Sequence, residues 1–437
     1  MNIFKKSKPD VLSTSERDPF NLDVFPDEIQ QLILKYLTVN ELLAASLTSK
    51  LWNITIGASL TFKRRVCIKI HPWKSEPSDD IVNSQRNYEN LSVVDFNLRS
   101  RTIECIPDID WHVVTLSIGK IKSQQFFVKL MQRFPTVREL KILSTNIREL
   151  SRSKAVELPE LEALTFSDVT LDLFDLFITA QPHLKTLSLR FVGCDILSPR
   201  RAGEAILEFL NYNTQLTDLE INHLISNDLF VVDISDRTKP KLRSLTIGLN
   251  ETAAPVHGNI FKFVQSQGSN LEHLKLVLHQ KFEQTRADQW GYWGREGTSN
   301  ASDDVMIVLK AWNSLTALKS LAFRFLSDSS ELEDTRELIK TLKKSTSVTS
   351  VHVQHTGVTI PSALVEILLK LTPSLSKLYV TKLTPAIVRY AALNLRALRF
   401  LTCSEFNGEC LREYNELKNE KKDMNTLIVI SDRCFEG

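Results

Sequence analysis

The groups in this 437-residue chain that could do chemistry are few and incomplete. His352 and His355 are spaced to reach one metal ion, but no cysteine or carboxylate accompanies them, and satisfied surface histidines are the better reading. Gly291, Gly294 and Gly297 in the run QWGYWGREG have the wrong spacing for a phosphate loop, and no strand leads there directly into a helix. Cys434 is placed as in prenylated chains, yet Glu436 stands where an aliphatic residue is required. Gly-x-Ser-x-Gly, a Walker loop and His-Glu-x-x-His are all missing from the sequence. Without a nucleophile, base and oxyanion donors gathered in one region, no catalytic residue, cofactor or metal is expected. The chemistry left is that of binding. Cations recur along apolar runs, where they could hold carboxylate or phosphate, and Trp290, Tyr292 and Trp293 could anchor a partner.

A repeat positions those cations. Leu184-Lys-Thr-Leu187-Ser-Leu189 recurs as Leu242-Arg-Ser-Leu245-Thr-Ile247, Leu271-Glu-His-Leu274-Lys-Leu276 and Leu375-Ser-Lys-Leu378-Tyr-Val380. Further copies start at Val137, Leu161, Leu216, Leu318, Val348 and Leu395, about 29 residues apart on average, with weaker copies at Leu91, Val113 and Met424. Between them, Ser123 to Phe134, Ala202 to Tyr212, Asn259 to Gln267, Asp303 to Trp312, Leu332 to Lys344 and Ser362 to Leu371 carry apolar residues three and four apart and are predicted helical. This α/β pattern is that of leucine-rich repeats, and at this length it resembles the ribonuclease-inhibitor type of horseshoe. One strand and one helix cannot bury their shared apolar face until the next unit stacks on it, so stability is spread along the array.

In each strand the second and third apolar positions point inward, so the residue between them and those on either side face the concave surface. These are Glu139, Lys141, Thr186, Ser188, Arg190, Asp218, Glu220, His273, Lys275, Ser320, Arg324, His352, Gln354, Lys377, Tyr379 and Arg399. Signs are mixed in the N-terminal half, whereas Lys275, Arg324, Lys377 and Arg399 make the C-terminal part basic. Arg190, Lys275, Arg324, Lys377, Tyr379 and Arg399 are therefore candidate substrate contacts, suited to an acidic or phosphorylated peptide. The competing reading is a solvated charged face. The longest gap between strands, 47 residues from Leu271 to Leu318, contains an insertion at 280–302. Its Trp290 and Trp293 either contact the substrate or pack back on the rim.

The N-terminal run from Phe25 to Asn53 predicts three short amphipathic helices. Pro26 opens the first, Asp27 and Glu28 suit its positive end, and Ile29, Ile33, Tyr36 and Leu37 form a stripe. Glu41 to Leu47 gives the second, and Thr48 or Ser49 can cap a third that carries Trp52. The order Phe25-Pro26-x-Glu28-Ile29, Ile33-Leu34-x-x-Leu37, Glu41-Leu42-Leu43 and Leu47-x-Ser49-Lys50-x-Trp52 resembles the F-box, with Phe25 in place of the usual leucine. The resemblance implies docking on the Skp adaptor of cullin-RING ubiquitin ligases through Phe25, Pro26, Ile33, Leu34, Leu37 and Leu42. Ile29, Leu43, Leu47 and Trp52 are expected to pack the helices internally.

The predicted organisation is a disordered N-terminus at 1–19, an F-box at 20–65, a linker at 66–90 and a leucine-rich-repeat solenoid at 91–437. A net charge of +2 gives no general attraction to nucleic acid or membrane, and no eighteen-residue apolar run predicts a membrane span. Six scattered cysteines, without a signal-peptide-like start, read as reduced thiols in cytosol or nucleus. By its resemblance the chain is expected to join the Skp adaptor, and through it the cullin-RING core, to an unknown protein substrate. The alternative is a scaffold that assembles a complex without directing ubiquitination.

Overall fold

The computed structural model describes residues 25–59, 67–70, 89–94, 112–121, 123–145, 156–170, 181–193, 199–222, 233–249, 254–278, 309–325, 342–355, 362–405, 408–420 and 427–430, with the single residues Phe62, Arg65, Leu173, Leu176, Phe177 and Phe230. Helix α1 (Asp27–Lys35) follows Pro26, where a missing N–H costs least, and places Asp27 and Glu28 in its first turn. Thr38 and Glu41 form a capping box on α2 (Val39–Thr48), Glu41 N donating to Thr38 Oγ1 at 3.3 Å and Thr38 N to Glu41 Oε2 at 2.6 Å. The Thr38 amide, together with its hydroxyl, holds the Glu41 carboxyl below the usual range. Helix α3 (Lys50–Ala58) is capped by Ser49, whose Oγ accepts from Trp52 N at 3.3 Å. Arg65 closes the unit by donating to the carbonyl of Lys35 at 3.2 Å and to that of Leu37. Leu34, Leu42, Ala45, Trp52, Ile56 and Phe62 form its small core, separate from that of the rest of the chain.

Fourteen parallel strands follow in a single sheet whose spatial order is the order of the chain. They are β1 (Cys67–Ile70), β2 (Asn90–Val94), β3 (Thr115–Gly119), β4 (Glu139–Leu143), β5 (Ala163–Thr170), β6 (Thr186–Gly193), β7 (Asp218–Asn222), β8 (Ser244–Leu249), β9 (His273–Leu278), β10 (Ser320–Phe325), β11 (Ser350–His355), β12 (Lys377–Lys382), β13 (Phe400–Glu405) and β14 (Leu427–Ile430). This is a leucine-rich-repeat solenoid. The register stacks like on like: Leu91, Leu116, Leu140, Leu164, Leu187, Leu219, Leu245, Leu274, Leu321, Val351, Leu378 and Leu401 form one ladder, each no more than 2% exposed. A second ladder two residues on, from Val93 to Cys403, is equally buried, as the period of two requires. Helices Gln124–Arg133, Pro199–Tyr212, Ala254–Gln267, Ser362–Leu371, Pro385–Asn394 and Gly408–Glu420 connect strands and bury their apolar stripes in the same core. The other face of the sheet is the concave face of the sequence reading.

Four predicted helices occupy these connections. Pro385–Asn394 and Gly408–Glu420 were not predicted, Asp303 to Trp312 is described only from Leu309, and most of Leu332 to Lys344 lies outside the described residues. The expected linker at 66–90 contains β1, paired with β2 from Cys67 against Asn90 to Ile70 against Val93. The sheet thus begins at Cys67, in a strand without the leading leucine by which the other repeats are recognised.

Buried amides tie successive repeats together away from the sheet. Gln181 Oε1 accepts from Leu158 N at 3.2 Å, its Nε2 donates to Val156 O at 3.1 Å, and its own N donates to Asn213 Oδ1 at 3.0 Å. Gln181→Leu would leave one buried N–H and one buried C=O without partners. Urea unfolding is expected to show a loss of about 2 kcal/mol or more; wild-type stability would mean that those backbone groups find other partners.

Candidate functional site

The F-box-like helices present a different face from the one expected. Leu34 and Leu42, expected at the surface, are both 0% exposed in the small core, and Leu37 packs against it. Trp52 is buried as expected, but Ile29 and Leu47, expected inside, are 41% and 89% exposed. The side chain of Leu43 lies outside the described residues. Helix α1 is apolar over more than one stripe, so its periodicity fits two rotations about its axis. The structure turns Gln30, Leu34 and Leu37 inward, with Gln30 Nε2 donating to Phe25 O at 2.8 Å. Ile29, Leu32, Ile33 and Tyr36 then form an outward ridge at i, i+3, i+4 and i+7, exposed except for the half-buried Ile33. Pro26 is also exposed, Phe25 is half-buried, and Leu47 on α2 and Ile54 on α3 add further apolar surface. Four large apolar side chains in helical spacing make a surface that a complementary groove can cover.

The helix-free face of the sheet changes along its length. In the N-terminal half two of its cations are neutralised on the spot, Lys141 pairing with Glu139 at 2.9 Å and Arg190 with Glu220 at 2.8 Å, while Lys69 on β1, in the row of Lys141, has no ion pair among the described residues. Arg190 also donates from Nε to Ser188 Oγ at 3.1 Å. Arg190, expected to be free for a substrate, is therefore already engaged within the chain. The row just before the strands is paired in the same manner, Arg138 with Glu160 at 3.3 Å and both Arg243 and Lys319 with Glu272 at 3.0 and 2.8 Å. Toward the C-terminus the pairing stops. Lys275, Arg324 and Lys377 lie on the expected face, with no ion pair or side-chain hydrogen bond among the described residues.

Tyr379 lies on that face but is only 6% exposed, its hydroxyl 2.7 Å from Ser404 Oγ and its ring edge-on to His352 at 4.2 Å. Neighbouring rungs cover it, so it supports the surface rather than projecting from it. Arg399 corrects a register. Leu395, Leu398 and Leu401 are spaced three apart, so two overlapping copies of the repeat fit, and an odd shift between them exchanges the faces of the strand. The structure pairs Phe400 with Lys377 and Leu401 with Leu378. Arg399 thus belongs to the row before the strand, with Lys319 and Arg243, and does not lie on the helix-free face. Trp290 and Trp293, with the insertion at 280–302, lie outside the described residues, as do Cys105, Cys194 and Cys434.

Burial pushes the His352 imidazole down from 6.5 to about 4, and the charges of Lys275 and Arg324 push it further the same way. The unfolded chain therefore binds this proton as pH falls through 6.5, while the folded chain resists until about 4. Stability is expected to decline across that window and to be fully present above it. His352→Gln should flatten this part of the pH dependence in urea unfolding; a slope unchanged from wild type would remove His352 as its source.

The F-box-like family model matches residues 22–69, which takes in the three helices and all but the last residue of β1. A search of curated proteins found no match. Among solved structures, the leucine-rich repeat-containing protein LegL7 from Legionella pneumophila is similar at 12% identity and a TM-score of 0.35, over 59% of this chain and 80% of that one. Among the described residues no helix is long and apolar enough to cross a membrane.

Proposed function

We propose that this chain is the substrate-recognition subunit of a Skp–cullin–F-box ubiquitin ligase. An F-box-like domain and a leucine-rich-repeat fold are both protein-binding modules, which is the coarse function of the chain. The observation that carries the finer reading is the outward ridge of Ile29, Leu32, Ile33 and Tyr36 on a helical unit with its own core. In this reading the ridge, with Phe25, Pro26 and Leu47, takes the Skp adaptor, which brings the cullin-RING core. Leu34 and Leu42 keep the ridge in shape from beneath. The solenoid holds the protein substrate, and the chain contributes proximity instead of bond chemistry.

The test is affinity purification of the full chain beside a version lacking residues 20–65, with captured proteins scored for abundance and attached ubiquitin. Partners that accumulate and lose ubiquitin in the shortened version support a substrate receptor. Partners that keep their ubiquitin favour the second reading, a scaffold that assembles a complex without directing ubiquitination.

A further inference from the structure

The cations gathered without ion pairs among the described residues at the C-terminal end of the sheet carry an inference that rests on the substrate-receptor reading and sharpens it. Lys377, Arg396, Arg399 and Phe400 line an open cleft of about 490 Å³ at the step from β12 to β13. None of the three cations has an ion pair or side-chain hydrogen bond among the described residues, and Phe400, 42% exposed, lines the cleft with them. Phe400 sits in register with Lys377, one strand spacing of about 4.8 Å away. Earlier rungs in the same rows show what neutralisation looks like on this fold: Arg243 and Lys319 share Glu272, and Lys141 takes Glu139. The position of Glu272 in its row is filled by Thr349, Ser376 and Arg399 further along, so the scaffold supplies no carboxylate there.

Like charges gathered on one surface repel one another, and an anionic partner removes that repulsion. From the cleft the unpaired cations continue along the helix-free face to Arg324 and Lys275. Lys275 and Lys377 lie three strands apart, on β9 and β12, a distance that about five extended residues span. We infer that an extended acidic segment of the captured protein lies across β9 to β13, its anionic side chains on Lys275, Arg324 and Lys377 and an apolar side chain seated on Phe400 between Arg396 and Arg399. Carboxylate and phosphate satisfy the same cations.

The test uses the full chain and fluorescence anisotropy with three labelled peptides: glutamates around a central leucine, the same peptide with phosphoserine for glutamate, and the same peptide with glutamine for glutamate. The first two are expected to bind in a salt-dependent manner and the third to fail. Tighter binding of the phosphoserine peptide would identify phosphate as the better source of the anion, and equal binding would show that carboxylate suffices; either supports the inference. Arg396→Glu with Arg399→Glu should weaken binding about tenfold or more, Phe400→Ala should weaken it less, and Lys141→Glu should leave it unchanged. Arg396, Arg399 and Phe400 are exposed, so melting temperatures of those variants should match wild type and separate lost binding from lost folding. Failure of both anionic peptides to bind overturns the inference, as does a single-stranded RNA that binds as tightly through the same arginines. The assay needs neither adaptor nor ubiquitin. Peptide failure with intact adaptor capture therefore sinks this inference alone, and the converse result sinks only the adaptor reading.

Discussion

Replacing Ile29, Leu32 and Tyr36 together with aspartate is expected to abolish capture of a Skp adaptor while leaving the melting behaviour of the chain unchanged. All three side chains lie outside the small core at 41%, 50% and 81% exposure, so their loss costs the fold little. On the partner side they would form the apolar centre of an interface, where losing anchors typically costs at least about 2 kcal/mol each; together that is a loss of about ten-thousandfold or more in affinity. The contrast is Leu34→Ala, which removes a fully buried side chain from a core of six residues. It should cost about 2 to 5 kcal/mol in the helical unit and lose the adaptor only because the ridge loses its support. Co-purification with circular dichroism separates the two. Undiminished capture by the triple aspartate variant would refute the ridge, and a stable Leu34→Ala protein would refute its support.

Phe177→Ala is expected to cost about 3 to 5 kcal/mol. The ring is fully buried and meets Phe127 edge-on at 6.2 Å and Phe166 edge-on at 5.7 Å. It thereby touches the helix Gln124–Arg133 and strand β5, so its removal opens a cavity shared by several repeats. Because each repeat is held mainly by its neighbours, the melt should broaden and lose its cooperativity first around residues 123–177. Hydrogen exchange would show the loss of protection there. A sharp transition within about 1 kcal/mol of wild type would mean that the surrounding side chains close the cavity.

The solenoid was legible because a buried ladder needs the same residue type at the same place in every rung. Leucine after leucine therefore records the fold in one dimension. The record fails where a rung departs from it. Cys67–Ile70 lacks the leading leucine, and Leu395, Leu398 and Leu401 allow two registers, between which burial of Leu401 and exposure of Phe400 decide. In α1 the difficulty is of another kind. A helix rich in apolar residues fits more than one rotation, and which stripe turns inward is set by α2 and α3 packing on it, a tertiary fact that periodicity does not contain. Gln30, buried through a hydrogen bond to a backbone carbonyl, is the residue that hydrophobicity alone would have turned outward. The basic C-terminal surface was half visible. The cations could be counted in the sequence, but that Lys141 and Arg190 are paired while Lys275, Arg324 and Lys377 have no ion pair among the described residues depends on which carboxylates share a face.

The strands stand in the sheet in the order in which they occur in the chain, which bears on how the protein is made. A ribosome delivers one rung at a time, so each new strand meets an edge that is already complete and never waits for a distant partner. Growth of the sheet can keep pace with synthesis, and a rung such as β8 can dock on β7 before β9 has been made.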